Sequence, residues 1–370
     1  MKIVFVSGFL NNHLLPLCDE LSKRSEFFFV ATQDWQAKGY NRSAIHSEYV
    51  LNYYEEESRP GIERLIKECD IGIFGGSSDA LLEIRKQTGK LAFVYTERLF
   101  KKGKWRYLLP KVRKVYRHRF MENNQNLFVL CASSYVPEDL KFISFPSERC
   151  FKFGYFPKTE VYDLEELLKK KNDKKLELLF VGRLEKLKRV DDILECCRYL
   201  KESNNDFILR IIGDGPERAH IAKNIKEKGL SASVELLGER SPQIVAQYMQ
   251  QSSILYFSSN KEEGWGAVVN EALSYGCAVI ASDACGSTKY MINDGLNGAV
   301  YHVGRPREMF QKTKDFWKSH CKADVYENAY YTVASLWNAG VAAQRLIELS
   351  YGIINQKDAN PFECGPVSRG

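Results

Sequence analysis

No stretch of the 370 residues holds the roughly 18 uninterrupted apolar residues that a membrane-spanning helix needs. The opening MKIVFVSGFLNNH is too short and turns polar too soon for a secretory signal, so the chain is expected to stay in the cytoplasm. The ten cysteines include no CxxC pair and no histidine at ligand spacing, which excludes a zinc module and leaves them as reduced structural thiols. No G-x-G-x-x-G follows the first apolar run, which argues against a nicotinamide dehydrogenase. An Asp-x-Asp metal site, an internal repeat and a low-complexity tract are also missing. The formal charge of +6 is too small for this size to point to nucleic acid, although its distribution is uneven.

The composition, 44% hydrophobic over this length, suits two ordinary cores rather than one. Apolar runs at Lys2–Ser7, Phe27–Ala31, Ile71–Phe74, Leu91–Tyr95 and Leu127–Ala132 alternate with helical patterns. Short buried strands separated by helices imply a parallel α/β sheet. The charged segment from Lys158 to Lys175 reads as a solvated connector or helix end. Directly after it the alternation resumes, with strands expected near 177–182, 207–212, 234–237, 253–257 and 278–281. The expected division is a first domain over 1–156, a second over 157–325, a closing helix over 326–350 carrying Trp337, and a loose Gly- and Pro-containing tail over 351–370.

The most informative segment is SILYFSSNKEEGWGAVVNEALSYGCAVIASD, residues 253–283, which reads as strand, polar loop, Gly-flanked turn, short helix and buried strand. Open α/β sheets bind ligands beyond the carboxyl ends of their strands, where the loop Ser258–Gly266 lies. Gly264 and Gly266 let backbone approach a ligand closely, and a helix starting near Ala267 and Val268 directs N–H groups at it, which suits a diphosphate. Glu263 and Glu271 are eight positions apart and suit hydroxyl groups; a chain with many Glu residues contains such pairs by chance, and the flanking residues give this one weight. In FVGRLEKLKRVDDIL, Arg183 and Lys188 follow a strand that ends at Gly182. These cations suit one pyrophosphate, Arg by bidentate bonding and Lys as a point charge; a solvated basic loop is the alternative. A third strand end, IIGDGP around Gly213, is equally compatible with ordinary turn chemistry.

Taken in order, GRLEKLK, IIGDGP, LLGER and EEGWGAVVNEALSYGCAVIASD resemble the successive motifs of glycosyltransferase family 4, over roughly residues 176–302. The resemblance implies the GT-B fold, with two Rossmann-like α/β domains facing a deep cleft and a final helix crossing back to the first domain. It also implies retaining transfer of a hexosyl or N-acetylhexosaminyl group from a nucleotide diphosphate sugar, UDP by family usage, in surface polysaccharide or glycoconjugate synthesis. Arg183 and Lys188 would then neutralise the departing diphosphate, Glu263 would hold hydroxyls of the transferred sugar, and Glu271 would hold the ribose. The amides after Trp265 would meet the phosphates, and Gly238, Glu239 and Arg240 would lie beside the base. With these cations on the leaving group, neither a metal nor another cofactor is expected.

The first domain departs from the family pattern. The loop after the first strand has Gly8 where members often have a Gly-Gly pair, and its NNHLLPLCDEL resembles an Asn-His-rich loop of surface polysaccharide enzymes, making His13 the acceptor-side candidate. A capping or surface role is its alternative. Glu97 stands where many members carry a histidine; it either binds a hydroxyl or proton or pairs with nearby cations. Between Arg98 and Arg119 there is no Asp or Glu, and the cations are interleaved with Phe100, Trp105, Tyr107 and Tyr116. Such a stretch suits an anionic membrane surface, where lipid-linked acceptors reside; a solvated basic helix face is the alternative and nucleic acid a third option, although no nucleic acid partner is expected. Two other readings share the architecture: a nucleotide-sugar 2-epimerase, and a non-catalytic accessory subunit.

Overall fold

Apolar runs become strands throughout. In the computed structural model, which describes residues 1–34, 47–122, 125–171, 174–357 and 362–370, the chain divides into two units. One is Met1–Lys158 together with Asn338–Gly370, the other Thr159–Trp337.

The first unit holds a parallel sheet of β1 (Lys2–Ser7), β2 (Glu26–Ala31), β3 (Val50–Asn52), β4 (Ile71–Phe74), β5 (Ala92–Thr96), β6 (Leu127–Cys131) and β7 (Cys150–Lys152). Its spatial order is β3-β2-β1-β4-β5-β6-β7. The second unit holds β8 (Leu176–Val181), β9 (Phe207–Ile212), β10 (Val234–Gly238), β11 (Ile254–Phe257), β12 (Ala278–Ser282) and β13 (Gly298–Tyr301) in the order β10-β9-β8-β11-β12-β13, again all parallel. Strands such as IGIF in β4 and ILYF in β11 are buried along their whole length, as continuous apolar runs require when helices cover both faces. In each sheet the order of addition reverses beside the first strand, between β1 and β4 and between β8 and β11. Loops on the carboxyl side of such a reversal diverge and leave a crevice, and this places the candidate residues.

Three sequence expectations are corrected. The first concerns the helix expected over 326–350, which is interrupted: a helix at Lys322–Tyr331 runs into a π turn at Thr332–Leu336, and a separate helix begins at Ala339. The Asn338 side chain caps that new helix by accepting from the Val341 N–H at 2.9 Å, which fixes extended backbone where a continuous helix would pass. The second unit therefore ends at Trp337 rather than at 325, while Ala339–Ile354 packs on the first unit's helix Leu15–Ser22.

The second correction is Lys171, which lies in the charged connector yet is buried. Its ammonium donates to the carbonyls of Ser252 (2.9 Å), Met249 (3.2 Å) and Tyr275 (3.3 Å), the chain ends of two helices. Burial lowers its pKa to about 8.

The third is the tail, whose final residues are not loose. The N–H of Val367 donates to Lys152 O (2.7 Å), that of Lys152 to Ser368 O (2.8 Å) and that of Gly370 to Cys150 O (2.9 Å). Val367 and Ser368 are buried, and the segment lies antiparallel along the edge of β7. An exposed strand edge is a template for aggregation, and here it is covered. Deleting residues 364–370 is expected to remove about 2 kcal/mol or more of stability, from the lost hydrogen bonds and the buried Val367. A lower melting temperature together with increased light scattering on heating checks this.

Candidate functional site

Three strand ends of the second unit are knitted together by backbone. The N–H of Gly182 donates to Ile212 O (3.0 Å), that of Leu184 to Asp214 O (2.8 Å) and that of Gly213 to Gly238 O (2.9 Å). Gly213 has φ +135°, and a Cβ there would sit 2.0 Å from the carbonyl oxygen of Gly182. Only glycine admits this approach, so the loop after β9 lies directly on the loop after β8.

On the other side of the reversal, the loop after β11 is tied to the same place. The Asn260 N–H donates to Leu187 O at 2.8 Å and the Ser258 hydroxyl to Lys188 O at 2.6 Å. Cys285, in the loop after β12, donates its thiol to Ser259 O at 3.1 Å. Gly266, at φ +83°, turns the chain over Phe257 so closely that a Cβ would lie 2.1 Å from the ring. The helix that follows, Val268–Ser274, is seven residues long.

Within this frame Lys188 and Glu263 form a direct ion pair, their side chains 17% and 16% exposed. The structure thus joins two of the sequence-derived candidates from separate loops. Arg183 is turned elsewhere: its side chain is 72% exposed and its guanidinium pairs with the Glu185 carboxylate, Nε to Oε1 3.1 Å. Glu271 stands in the first turn of the short helix, where burial pushes its carboxyl up to about 7. Ala267 and Val268, at the start of that helix, and Gly264, in the loop before it, are half-buried. The Trp265 side chain is not in the site: it is buried, donates its Nε1–H to Asn270 at 2.7 Å and packs on Trp337 and Tyr290, anchoring the loop through the core. Glu239 and Arg240 are exposed after β10, with Arg240 donating to Glu239 O at 2.9 Å. Arg218, not singled out from the sequence, lies over Gly238 and pairs with Asp214 at 3.4 Å. Its signal was the basic residue opening the helix after GDGPE.

The first unit gathers its own candidates. His13 follows β1, Glu97 follows β5, and both meet at Tyr155, a residue the sequence reading missed. The His13 imidazole stacks on the Tyr155 ring with centroids 5.6 Å apart and planes 5° from parallel. The Tyr155 hydroxyl donates to one oxygen of Glu97, and Lys101 holds the other. Tyr155 is placed by a strap across the strand ends: the N–H of Phe153 donates to Cys131 O (3.0 Å), Tyr95 donates its hydroxyl to Gly154 O (3.1 Å), and the N–H of Phe156 donates to His13 O (3.3 Å). Gly8 is not at a tight approach, since a Cβ there would find its nearest atom at 3.5 Å. The close contact falls at Gly75, after β4, where a Cβ would be 2.9 Å from the Ser7 hydroxyl.

The basic stretch forms a short 3-10 turn, Lys104–Leu108, and the helix Pro110–Phe120. Of its four aromatics, Phe100 is buried and Tyr107 and Tyr116 pack around it with Phe142. Trp105 faces solvent at 62% exposure, joined by Leu108 at 77%. Lys102, Lys104, Arg106, Lys111, Arg113, Lys114 and Arg117 are exposed around them.

Residues 165–331, under half of the chain and containing every candidate of the second unit, match the family described as Glycosyl transferases group 1. Among curated relatives, the chain is 35% identical over 136 residues to the lipopolysaccharide 1,6-galactosyltransferase of Salmonella typhimurium, covering 36% of this chain and 37% of that enzyme. It is 29% identical over 162 residues to a Campylobacter jejuni enzyme, N-acetylgalactosamine-N,N'-diacetylbacillosaminyl-diphospho-undecaprenol 4-alpha-N-acetylgalactosaminyltransferase, covering 44% of this chain and 42% of that one. The chain thus spans well under half the length of these relatives. Solved structures match across nearly all of it: Anabaena Alr3699/HepE in complex with UDP superposes with a TM-score of 0.68 at 15% identity, covering 94% of this chain and 99% of that one. WaaG, a glycosyltransferase involved in lipopolysaccharide biosynthesis, gives 0.61 at 14% identity, covering 95% and 100%. The fold is GT-B, with two Rossmann-like α/β units.

The raised pKa of Glu271 has a testable sign. Burial disfavours its charged form in the folded state, so its contribution to stability is fully present below the ordinary carboxyl value of 4.5 and is lost as pH rises through about 7. Glu271→Gln is therefore expected to match the native protein near pH 4 and to exceed it by up to about 3 kcal/mol at pH 8. Thermal unfolding of both proteins at the two pH values checks this.

Proposed function

We propose that the chain is a retaining glycosyltransferase that moves a hexosyl or N-acetylhexosaminyl group from a UDP-sugar to a glycan or lipid-linked acceptor. It needs no divalent metal, and it works at the cytoplasmic face of a membrane in surface polysaccharide or glycoconjugate synthesis. The observation that carries the reading is the meeting of Lys188 and Glu263 at the strand reversal of the second unit, inside the stretch that matches the group 1 glycosyl transferases. Neighbours point the same way: the Anabaena structure holds UDP, and the Campylobacter enzyme's name specifies a diphospho-undecaprenol acceptor.

In this reading Lys188, with Arg183 swung from Glu185, stabilises the charge that develops on the departing diphosphate, which is where preorganised cations lower a barrier most. These cations take the place of a metal. Glu263 accepts hydrogen bonds from hydroxyls of the transferred sugar, ionised Glu271 accepts them from the ribose, and the backbone at Gly238, Glu239 and Arg240 borders the base. The acceptor hydroxyl attacks from the face that the diphosphate leaves, which retains the anomeric configuration. In the first unit, Glu97 is oriented by Tyr155 and Lys101, and with His13 it serves the acceptor.

Calorimetric titration with UDP and with GDP in EDTA tests the donor half. Micromolar binding of UDP, lost in Glu271→Ala, is expected; preference for GDP would change the donor, and binding of neither would favour the accessory-subunit reading.

The exposed Trp105 and Leu108, ringed by cations, have the chemistry of a surface that rests on anionic lipid, with the apolar tip among the acyl chains and the charges at the headgroups. The intact protein is expected to sediment with phosphatidylglycerol vesicles and not with phosphatidylcholine, and to be released by high salt. Lys102→Gln, Arg106→Gln and Leu108→Ser together should abolish sedimentation; unchanged sedimentation removes the membrane from the proposal.

A further inference from the structure

The ion pair between Lys188 and Glu263 leaves each group occupied by the other, whereas the proposed chemistry needs both turned to the donor. Hydrogen bonds from the Asn260 N–H to Leu187 O and from the Ser258 hydroxyl to Lys188 O fix the two loops against each other. The side chains are largely buried, so water screens them poorly. A diphosphate entering beside Lys188 therefore competes with the Glu263 carboxylate for one ammonium and is repelled by the carboxylate it displaces. Sugar hydroxyls that donate to Glu263 offset that displacement. Once the sugar has been transferred those donors are gone, and the terminal phosphate of the released nucleoside diphosphate has gained a further ionisable oxygen.

We propose that Glu263 discriminates donor from product: it tolerates a diphosphate while a sugar is attached and, after transfer, returns to Lys188 and weakens the hold on the nucleoside diphosphate. This rests on the nucleotide-sugar reading above and adds a second role for a residue that the reading assigns only to sugar binding. The exchange needs no backbone movement, because the two loops stay tied while the side chains change partners.

The consequence is counterintuitive for a site residue, since removing its charge tightens a ligand. Titrating the full chain in EDTA with UDP, GDP and inorganic pyrophosphate, Glu263→Gln is expected to bind the preferred nucleotide, and pyrophosphate, about tenfold more tightly than the native protein. Should the amide variant fail to fold around an unpaired Lys188, Glu263→Asp is the substitute. It draws the charge back by one methylene and is expected to tighten the same ligands to a lesser degree. A nucleotide that binds the native protein and is held equally or less tightly by the variants overturns this proposal alone. If neither nucleotide binds any of these proteins, the nucleotide-donor reading falls and this proposal with it.

Discussion

The contact on which the second unit's site depends is steric before it is electrostatic: the carbonyl of Gly182 lies where a side chain on Gly213 would have to be. That approach brings the loop after β9 onto the loop after β8. The N–H of Asn260 then draws in the loop after β11 by bonding to Leu187 O. With three loops held together at the carboxyl end of the sheet, the long side chains of Lys188 and Glu263 meet without either loop needing to be ordered by a ligand. Preorganisation of this kind reduces what binding must spend on ordering the protein. Trp265 contributes from behind, its indole buried against Trp337 and Tyr290 so that the glycine turn above it keeps its position.

The architecture was legible because both sheets are buried on two faces, which writes the central strands as mostly apolar runs, interrupted in the second sheet only by single charged residues such as Glu177 and Arg210. The three strands left out of the sequence reading are β3, β7 and β13, three or four residues each and lying at sheet edges. Such short edges carry too few residues for a pattern to register. The break at Trp337–Asn338 had a local signal in the capping asparagine, but apolar spacing continues on both sides and reads as one helix. Composition also identified the tail as irregular, which it is in conformation; docking onto β7 is a tertiary fact that composition does not encode. Lys171 shows the same limit in reverse: its neighbours in sequence are charged and solvated, while three carbonyls distant in sequence decide its burial.

For the candidate site, residue type and order along the chain single out Lys188, Glu263, Glu97 and His13, each in the loop that follows a strand, and the structure puts Lys188 against Glu263 and brings His13 and Glu97 to Tyr155. Tyr155 escaped because its strand was not recognised, and without β7 nothing marks FGYFP as a segment crossing strand ends. The sequence pattern gives the aromatics of the basic stretch a single environment, whereas Phe100, Tyr107 and Tyr116 turn inward around Phe142 and Trp105 turns out. Spacing within a short turn and helix could not separate them, since the division is made by the packing of a neighbouring helix, Val136–Phe142.

The chain passes from the first unit to the second between Lys158 and Thr159 and returns between Trp337 and Asn338. The second unit is therefore an uninterrupted insertion within a unit whose own polypeptide is split. During synthesis from the amino end, all of the inserted unit has been made before Asn338 appears, so it is free to complete its core first. The first unit must wait, with the surface later covered by Ala339–Ile354 and the edge of β7 both open, until Asn338–Gly370 has been made. Synthesis order thus makes the first unit the later of the two to mature and the one exposed longer to mispairing.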